Sequence, residues 1–154
     1  MSMTLFDNTH MKRALDAAQL AAENGEVPVG AVLVHHPTNK VVIAVANKIV
    51  ELKDPTAHAE ILAIRAACTI LNNERLSECD LYVTLEPCPM CAQAISFARI
   101  RRLYYSASDK KGGGVENGPL IFNASSCHHK PEVYSGIMEK QAAEILRNFF
   151  KKRR

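Results

Sequence analysis

No run of about 18 apolar residues occurs in this chain, so no membrane-spanning helix is expected. Met1 to His10 lack the apolar stretch of an export signal. Transit peptides are poor in acids, and Asp7 and Asp16 argue against one. A cytoplasmic location is therefore the expectation. Nor is there an even set of cysteines: the five are Cys68, Cys79, Cys88, Cys91 and Cys127. An odd number without an export signal argues against a disulfide framework. Internal repeats, linkers and low-complexity segments are absent too. What remains is 154 residues, 47% apolar and 23% charged, a composition that suits one soluble domain spanning 1–154 with a single core.

The net charge of +3 is unevenly placed. Arg147, Lys151, Lys152, Arg153 and Arg154 fall within the last eight residues, with no acid among them, and setting these five aside leaves the remainder at −2. Local basicity of this kind suits an anionic partner docking near the C-terminus.

Helical spacing of Met11, Leu15, Ala18 and Ala22, with Gly25 as a stop, predicts a helix from about Asn8 to Asn24. Val29–Val34 and Val41–Ala46 read as antiparallel strands around a Pro37/Asn39 turn. Asp54 and Pro55 precede a helix over about Ala57–Leu71. Leu81–Leu85 is a third strand, and Pro89 suits the first turn of a helix running to about Ala98. Leu103–Ser106 and Glu132–Ser135 are further strands, and a helix from Ile137 to about Phe150 leads into the basic end at 154. Residues 107–131 form a long glycine-rich loop in which Leu120–Phe122 fits a short helix. Strands alternating with helices predict an α/β fold: a three-layer α/β/α sandwich around a five-stranded mixed sheet.

Two stretches carry chemistry: Thr56-Ala57-His58-Ala59-Glu60 and Glu86-Pro87-Cys88-Pro89-Met90-Cys91. Cys88 and Cys91 are three apart at a predicted helix start and so share a face. A helix N-terminus favours thiolate through its dipole and free N–H groups. His58 opens the other helix. Zinc takes Cys and His ligands, and catalytic sites supply three of them and leave a fourth position for water. Glu60 falls on the helix side that also carries Ile61, Ile64, Cys68 and Leu71. A carboxylate there is costly unless it is paired or neutral, and a proton-shuttling role beside a cation accounts for it. Alone, Cys-Pro-Met-Cys also fits a thioredoxin-like redox pair. A structural zinc site is a further alternative, with Cys79, Cys127, His128 or His129 as a fourth ligand.

His-Ala-Glu, followed 30 residues after His58 by Pro-Cys-x-x-Cys, resembles the signature of the zinc nucleobase deaminases. Glu26-Val27-Pro28-Val29-Gly30-Ala31-Val32, Asp54-Pro55-Thr56, Tyr82-Val83-Thr84-Leu85 and the Phe149-Phe150-basic ending resemble the bacterial tRNA-specific adenosine deaminases within that superfamily. The resemblance implies a cytidine deaminase-like fold, one zinc per subunit on His58, Cys88 and Cys91, and Glu60 as proton shuttle. It also implies attack of a zinc-activated water on C6 of adenine, giving inosine. It further implies that Asn47 hydrogen-bonds the base, that the substrate is a tRNA anticodon loop, and that the protein forms a homodimer. Phosphate contacts are expected from Arg147, Lys151 and Lys152, with Arg99, Arg101 and Arg102 as further cations. Two features depart from the pattern: Ala46, where the family often carries a large aromatic, and the segment Cys127-His128-His129.

Guanine deaminases share Asp-Pro-Thr-Ala-His-Ala-Glu and Cys-Pro-Met-Cys, so the core motifs leave a free base, guanine or cytosine, open as substrate. A non-catalytic RNA-binding subunit is the alternative of another class. Such a subunit has no need of a buried Glu60.

Overall fold

In a computed structural model of the chain, residues 8–153 are described. The expectation drawn from Met1 to His10 and the charge on Arg154 thus lie partly or wholly outside them.

The first long helix, α1 (Thr9–Glu23), turns Met11, Ala14, Leu15 and Ala18 inward. Strands β1 (Gly30–His35) and β2 (Lys40–Ala46) follow, paired antiparallel around a single 3-10 turn at His36–Thr38. Next come a short helix α2 (Ile49–Leu52), helix α3 (Ala59–Leu71), strand β3 (Cys79–Leu85), helix α4 (Pro89–Phe97) and strand β4 (Arg102–Ala107). A 3-10 turn at Ile121–Asn123, strand β5 (Glu132–Ser135) and helix α5 (Glu139–Lys152) complete the order. The five strands lie in the order β2-β1-β3-β4-β5, with β1 antiparallel to both neighbours and β3, β4 and β5 mutually parallel. The expected mixed five-stranded sheet is present.

Strand alternation sorts the side chains into two cores. Ala31, Leu33, Leu81, Val83, Leu103 and Tyr105 meet α3 and α4 on one face. Val32, Val34, Tyr82, Tyr104 and Tyr134 meet α1 on the other, where α5 also packs against β4. Tyr82, Tyr104 and Tyr134 stack across β3, β4 and β5, with ring centroids 4.4 and 5.2 Å apart. Because both faces are covered, β1 is a continuous apolar run rather than an alternating one. Helix α1 comes so close to β1 that a Cβ on Gly30 would sit 1.9 Å from the Ala14 carbonyl oxygen, so only glycine fits there.

Two details differ from the sequence reading. Helix α2 was not expected. Its first N–H groups, on Val50 and Glu51, are capped by the buried carboxylate of Glu26 at 3.1 and 2.9 Å, a partner more than 20 residues away that local patterns do not reveal. The inner stripe of α3 is Ala59, Ala63 and Ala67, while Leu71 is exposed, because small residues let this helix approach the sheet closely. Cys91, Ile95 and Ala98 face the core, leaving Met90 and Phe97 outside. Among the described residues no helix is long and apolar enough to cross a membrane.

Candidate metal centre

At one edge of the sheet β2, β3 and β4 end and β1 begins. Helices α3 and α4 both start there, in line with the general rule that sites form at the carboxyl ends of parallel strands. His58 is the N-cap of α3 (φ −70°, ψ 150°) and Cys88 the N-cap of α4 (φ −71°, ψ 171°). Neither side chain caps its own helix, so both are free to point across. Cys91 lies on the first turn of α4 and is fully buried.

His58 Nδ1 stands 3.7 Å from Cys88 Sγ and 3.5 Å from Cys91 Sγ. Ligand bonds of about 2.05 Å to nitrogen and 2.3 Å to sulfur, at the tetrahedral angle, put such atoms about 3.6 Å apart. Both nitrogen–sulfur separations match those of a zinc site, the three ligand atoms lie within 4.8 Å of one another, and they are the only such group found among the described residues. The candidate fourth ligands are elsewhere. Cys79 is buried in the core, Cys127 contacts Ser96, His129 Nε2 meets the Ile100 carbonyl at 2.6 Å, and His128 is exposed. Three protein ligands and an open position are the pattern of a catalytic zinc.

The electrostatics agree. The Cys91 thiol, and after it the His58 ring, hold Cys88 down at about 4 against the cost of burial. Its contact with Cys88 raises the His58 pKa in turn. Cys91 is raised, because its proton is held by the Cys88 sulfur and because it is buried. A divalent cation replaces that shared proton and leaves two thiolates, as metal binding to cysteine requires. Glu60, in the first turn of α3, is 4% exposed, and burial pushes its carboxyl up to about 7.

The family model for the cytidine and deoxycytidylate deaminase zinc-binding region matches residues 5–107, a span that holds all four of these groups. The chain belongs to this deaminase family. A tRNA-specific adenosine deaminase of Agrobacterium fabrum is 57% identical over 149 residues, covering 96% of this chain and 97% of its own. A solved structure from work on A-to-I editing by tRNA:A34 deaminases at the wobble position of transfer RNA superposes with a TM-score of 0.88 at 56% identity, over 91% of this chain and all of that one. A guanine deaminase from Bacillus subtilis is 39% identical with a TM-score of 0.63, over 67% of this chain and 65% of that one.

Other expected positions in this deaminase are more mixed. Asn47 is 6% exposed and engaged with backbone. Its Oδ1 accepts from the Ala59 N–H at 2.8 Å, capping α3 from outside, and its Nδ2 donates to the Val27 carbonyl at 3.1 Å. Only one Nδ2 proton is left for a base. Arg147, Lys151 and Lys152 are exposed. Arg153 instead lies 4.4 Å over the Phe149 ring and donates to the Gly25 carbonyl, pinning the end of α5 to the turn that follows α1. Arg101 and Arg102 do not join the cationic surface. They sit at the opposite edge of the sheet, where Arg101 forms two bonds with Asp80 and Arg102 pairs with Glu132 at 3.3 Å. Arg99 is turned to the His128 carbonyl.

Sequence reasoning missed the role of Glu86, which is 2% exposed. Burial works against its charge, but backbone N–H groups and the Asn117 amide outweigh that and lower its pKa. The available signal was an acid at a strand end, one residue before Pro-Cys, in a chain that also carries a triple glycine.

Proposed function

We propose that this chain hydrolyses adenosine to inosine at the wobble position of tRNA. The carrying observation is the open three-ligand centre beside a buried carboxylic acid, in a chain 57% identical to a tRNA-specific adenosine deaminase along nearly its whole length. His58, Cys88 and Cys91 hold the zinc. When bound, zinc supplies an activated water for attack on C6 of the base. Glu60 takes a proton as attack proceeds, passes it to the ring nitrogen, and returns one to the departing amine, so that ammonia leaves and inosine remains. Burial tunes this group toward neutrality, where both transfers are feasible. The reading treats residues 1–154 as a single deaminase domain acting in the cytoplasm. Co-fractionation with membranes would argue against the latter.

RNA as the substrate is supported by the placement of cations. Lys48 and Lys53 follow β2, Lys110 and Lys111 follow β4, and the exposed Arg147, Lys151 and Lys152 lie on α5, whose end is fastened to the turn after α1. The loop lysines stand at the end of the sheet that carries the metal centre, and the α5 cations add a second basic patch beside the end of α1. A loop nucleotide is already partly unstacked, which reduces the cost of extruding it. The deciding experiment offers an anticodon stem-loop, guanine, cytosine and free adenosine in parallel, and assays ammonia and inosine. Turnover of guanine without RNA would reassign the substrate.

Three expectations accompany the reading. Replacing Lys151 and Lys152 by Ala weakens stem-loop binding and flattens the log–log salt dependence by about 0.7 per lost phosphate contact. An unchanged slope returns these lysines to a solvated helix end. Asn47→Ala strands the Ala59 N–H and the Val27 carbonyl, costing ~1–3 kcal/mol in urea unfolding. If the remaining proton of Nδ2 also contacts the base, KM for the stem-loop rises as well; an unchanged KM removes that contact. Finally, Met90 and Phe97 are 37% and 72% exposed and share the outer face of α4, which supports a homodimer through this helix. Phe97→Glu should give a monomer in sedimentation, and a persisting dimer would move the interface elsewhere.

A further inference from the structure

Glu86 stands at the end of β3, two residues before the ligand Cys88, and its carboxylate gathers the loop that follows β4. Oε2 accepts from the backbone N–H groups of Val115, Glu116 and Asn117 at 3.1, 2.9 and 3.1 Å. Oε1 accepts from the Asp109 N–H at 3.0 Å and the Asn117 Nδ2 at 2.6 Å. The next residue extends the attachment, since the Gly114 N–H donates to the Pro87 carbonyl at 2.8 Å. Two glycines permit this closeness. A Cβ on Gly113 would lie 2.5 Å from the Glu86 carboxyl carbon, and one on Gly114 would lie 2.6 Å from the Pro89 nitrogen. The loop is therefore bonded to both residues that lead into the metal-binding turn and lies directly on Cys88 and Pro89.

We infer that Glu86 is a positioning residue: it clamps residues 109–117 onto the metal-binding turn and so fixes where the loop's cationic tip, Lys110 and Lys111, stands relative to the reacting centre. A neutral helix-strand core does not require five donors on one carboxylate. A buried acid spent wholly on a loop makes sense where the loop must hold one position, because bonds to a charged acceptor are roughly twice as strong as neutral ones. Lys110 and Lys111 are exposed, while Gly113, Gly114 and Val115 are buried, so the clamp holds the base of the loop and leaves its tip to a ligand. The role of the tip rests on the RNA reading above; the clamp itself does not.

The test uses the full-length zinc-loaded protein and Glu86→Gln, which keeps the size but turns one acceptor into a donor facing N–H groups. Gly113→Ala, which wedges the same contact without touching the charge, is the second variant. Amide exchange at residues 115–117 should accelerate by about tenfold or more, with α3 and α4 unchanged. Trypsin should cut after Lys110 or Lys111 faster than in the parent, and zinc content should stay at one per chain. On the anticodon stem-loop KM should rise several-fold while kcat changes little. Unchanged exchange and cleavage in both variants overturn the clamp. Exchange accelerated uniformly over the whole chain also overturns it, reducing Glu86 to a general stabiliser. Faster loop exchange with an unaltered KM keeps the clamp and removes the positioning role. If no RNA is turned over by the parent, the exchange and cleavage results still decide the clamp.

Discussion

Replacing Glu60 by Gln is expected to lower kcat for adenosine deamination by at least about 10²–10⁴-fold, the usual worth of a positioned acid–base group, while zinc stays bound. Gln fills the same space on α3 but carries no transferable proton. The same substitution has an opposite effect on stability, and the sign follows from the direction of the shift. Burial raises the carboxyl from 4.5 to about 7, so the folded state binds the proton more tightly than the unfolded one. The stability associated with the neutral acid is fully present below about pH 4.5 and is lost as pH rises through about 7. A gap of that size corresponds to ~3 kcal/mol. After chelation of the metal, Glu60→Gln should therefore unfold at higher urea than the parent at pH 8 and at the same urea at pH 4. With zinc bound the gain should shrink, because a neighbouring cation favours the carboxylate. Retained activity would remove Glu60 from the mechanism. A variant less stable than the parent at pH 8 would show that the carboxylate is paired rather than strained.

Cys91→Ala should empty the centre. Two donors remain, His58 and Cys88, and catalytic zinc needs three protein ligands. Zinc measured by elemental analysis should fall from one per chain to about a tenth or less, and deamination should fall to background. The melting temperature should lose its dependence on added zinc, since a ligand that binds only the folded state stabilises by mass action. Cys68→Ala is the control. That thiol is half-buried and packs against the α3–α4 side of the sheet, away from the centre, and zinc should bind normally. Full zinc occupancy in Cys91→Ala, or equal loss in Cys68→Ala, would place the metal elsewhere.

The elements that carry the chemistry were legible because their signals are local. The β-branched runs of β1 and β2, the Pro89 start of α4 and the Asp54-Pro55 break before α3 each act within a few residues, and the observed boundaries fall within about two residues of those predicted, in keeping with the usual fraying of element ends. His58, Cys88 and Cys91 were legible for a related reason. Two helix starts with zinc-binding side chains place those side chains at helix N-termini, whatever the rest of the fold does.

What local signals do not carry is the identity of a distant partner. Asn47 reads as a base contact by resemblance, yet most of its amide is used to join the end of β2 to Val27 and to the first turn of α3. Glu26 and Glu86 carry no assigned role in the sequence reading, and both turn out to be buried caps for backbone that lies 23 or more residues away. Arg101 and Arg102 add to the charge tally in the sequence, but register places them at the start of β4 beside Asp80 and Glu132, at the far edge from the metal. By itself the sequence pointed to the layer architecture, to the three residues that could hold a metal and to Glu60 as a candidate proton shuttle, because each of these readings rests on residue type and short-range periodicity. Only the tertiary structure decided which polar groups are free to meet a substrate and which are consumed in holding the fold. That outcome depends on sheet order and burial, which bring residues far apart in the chain within hydrogen-bond distance.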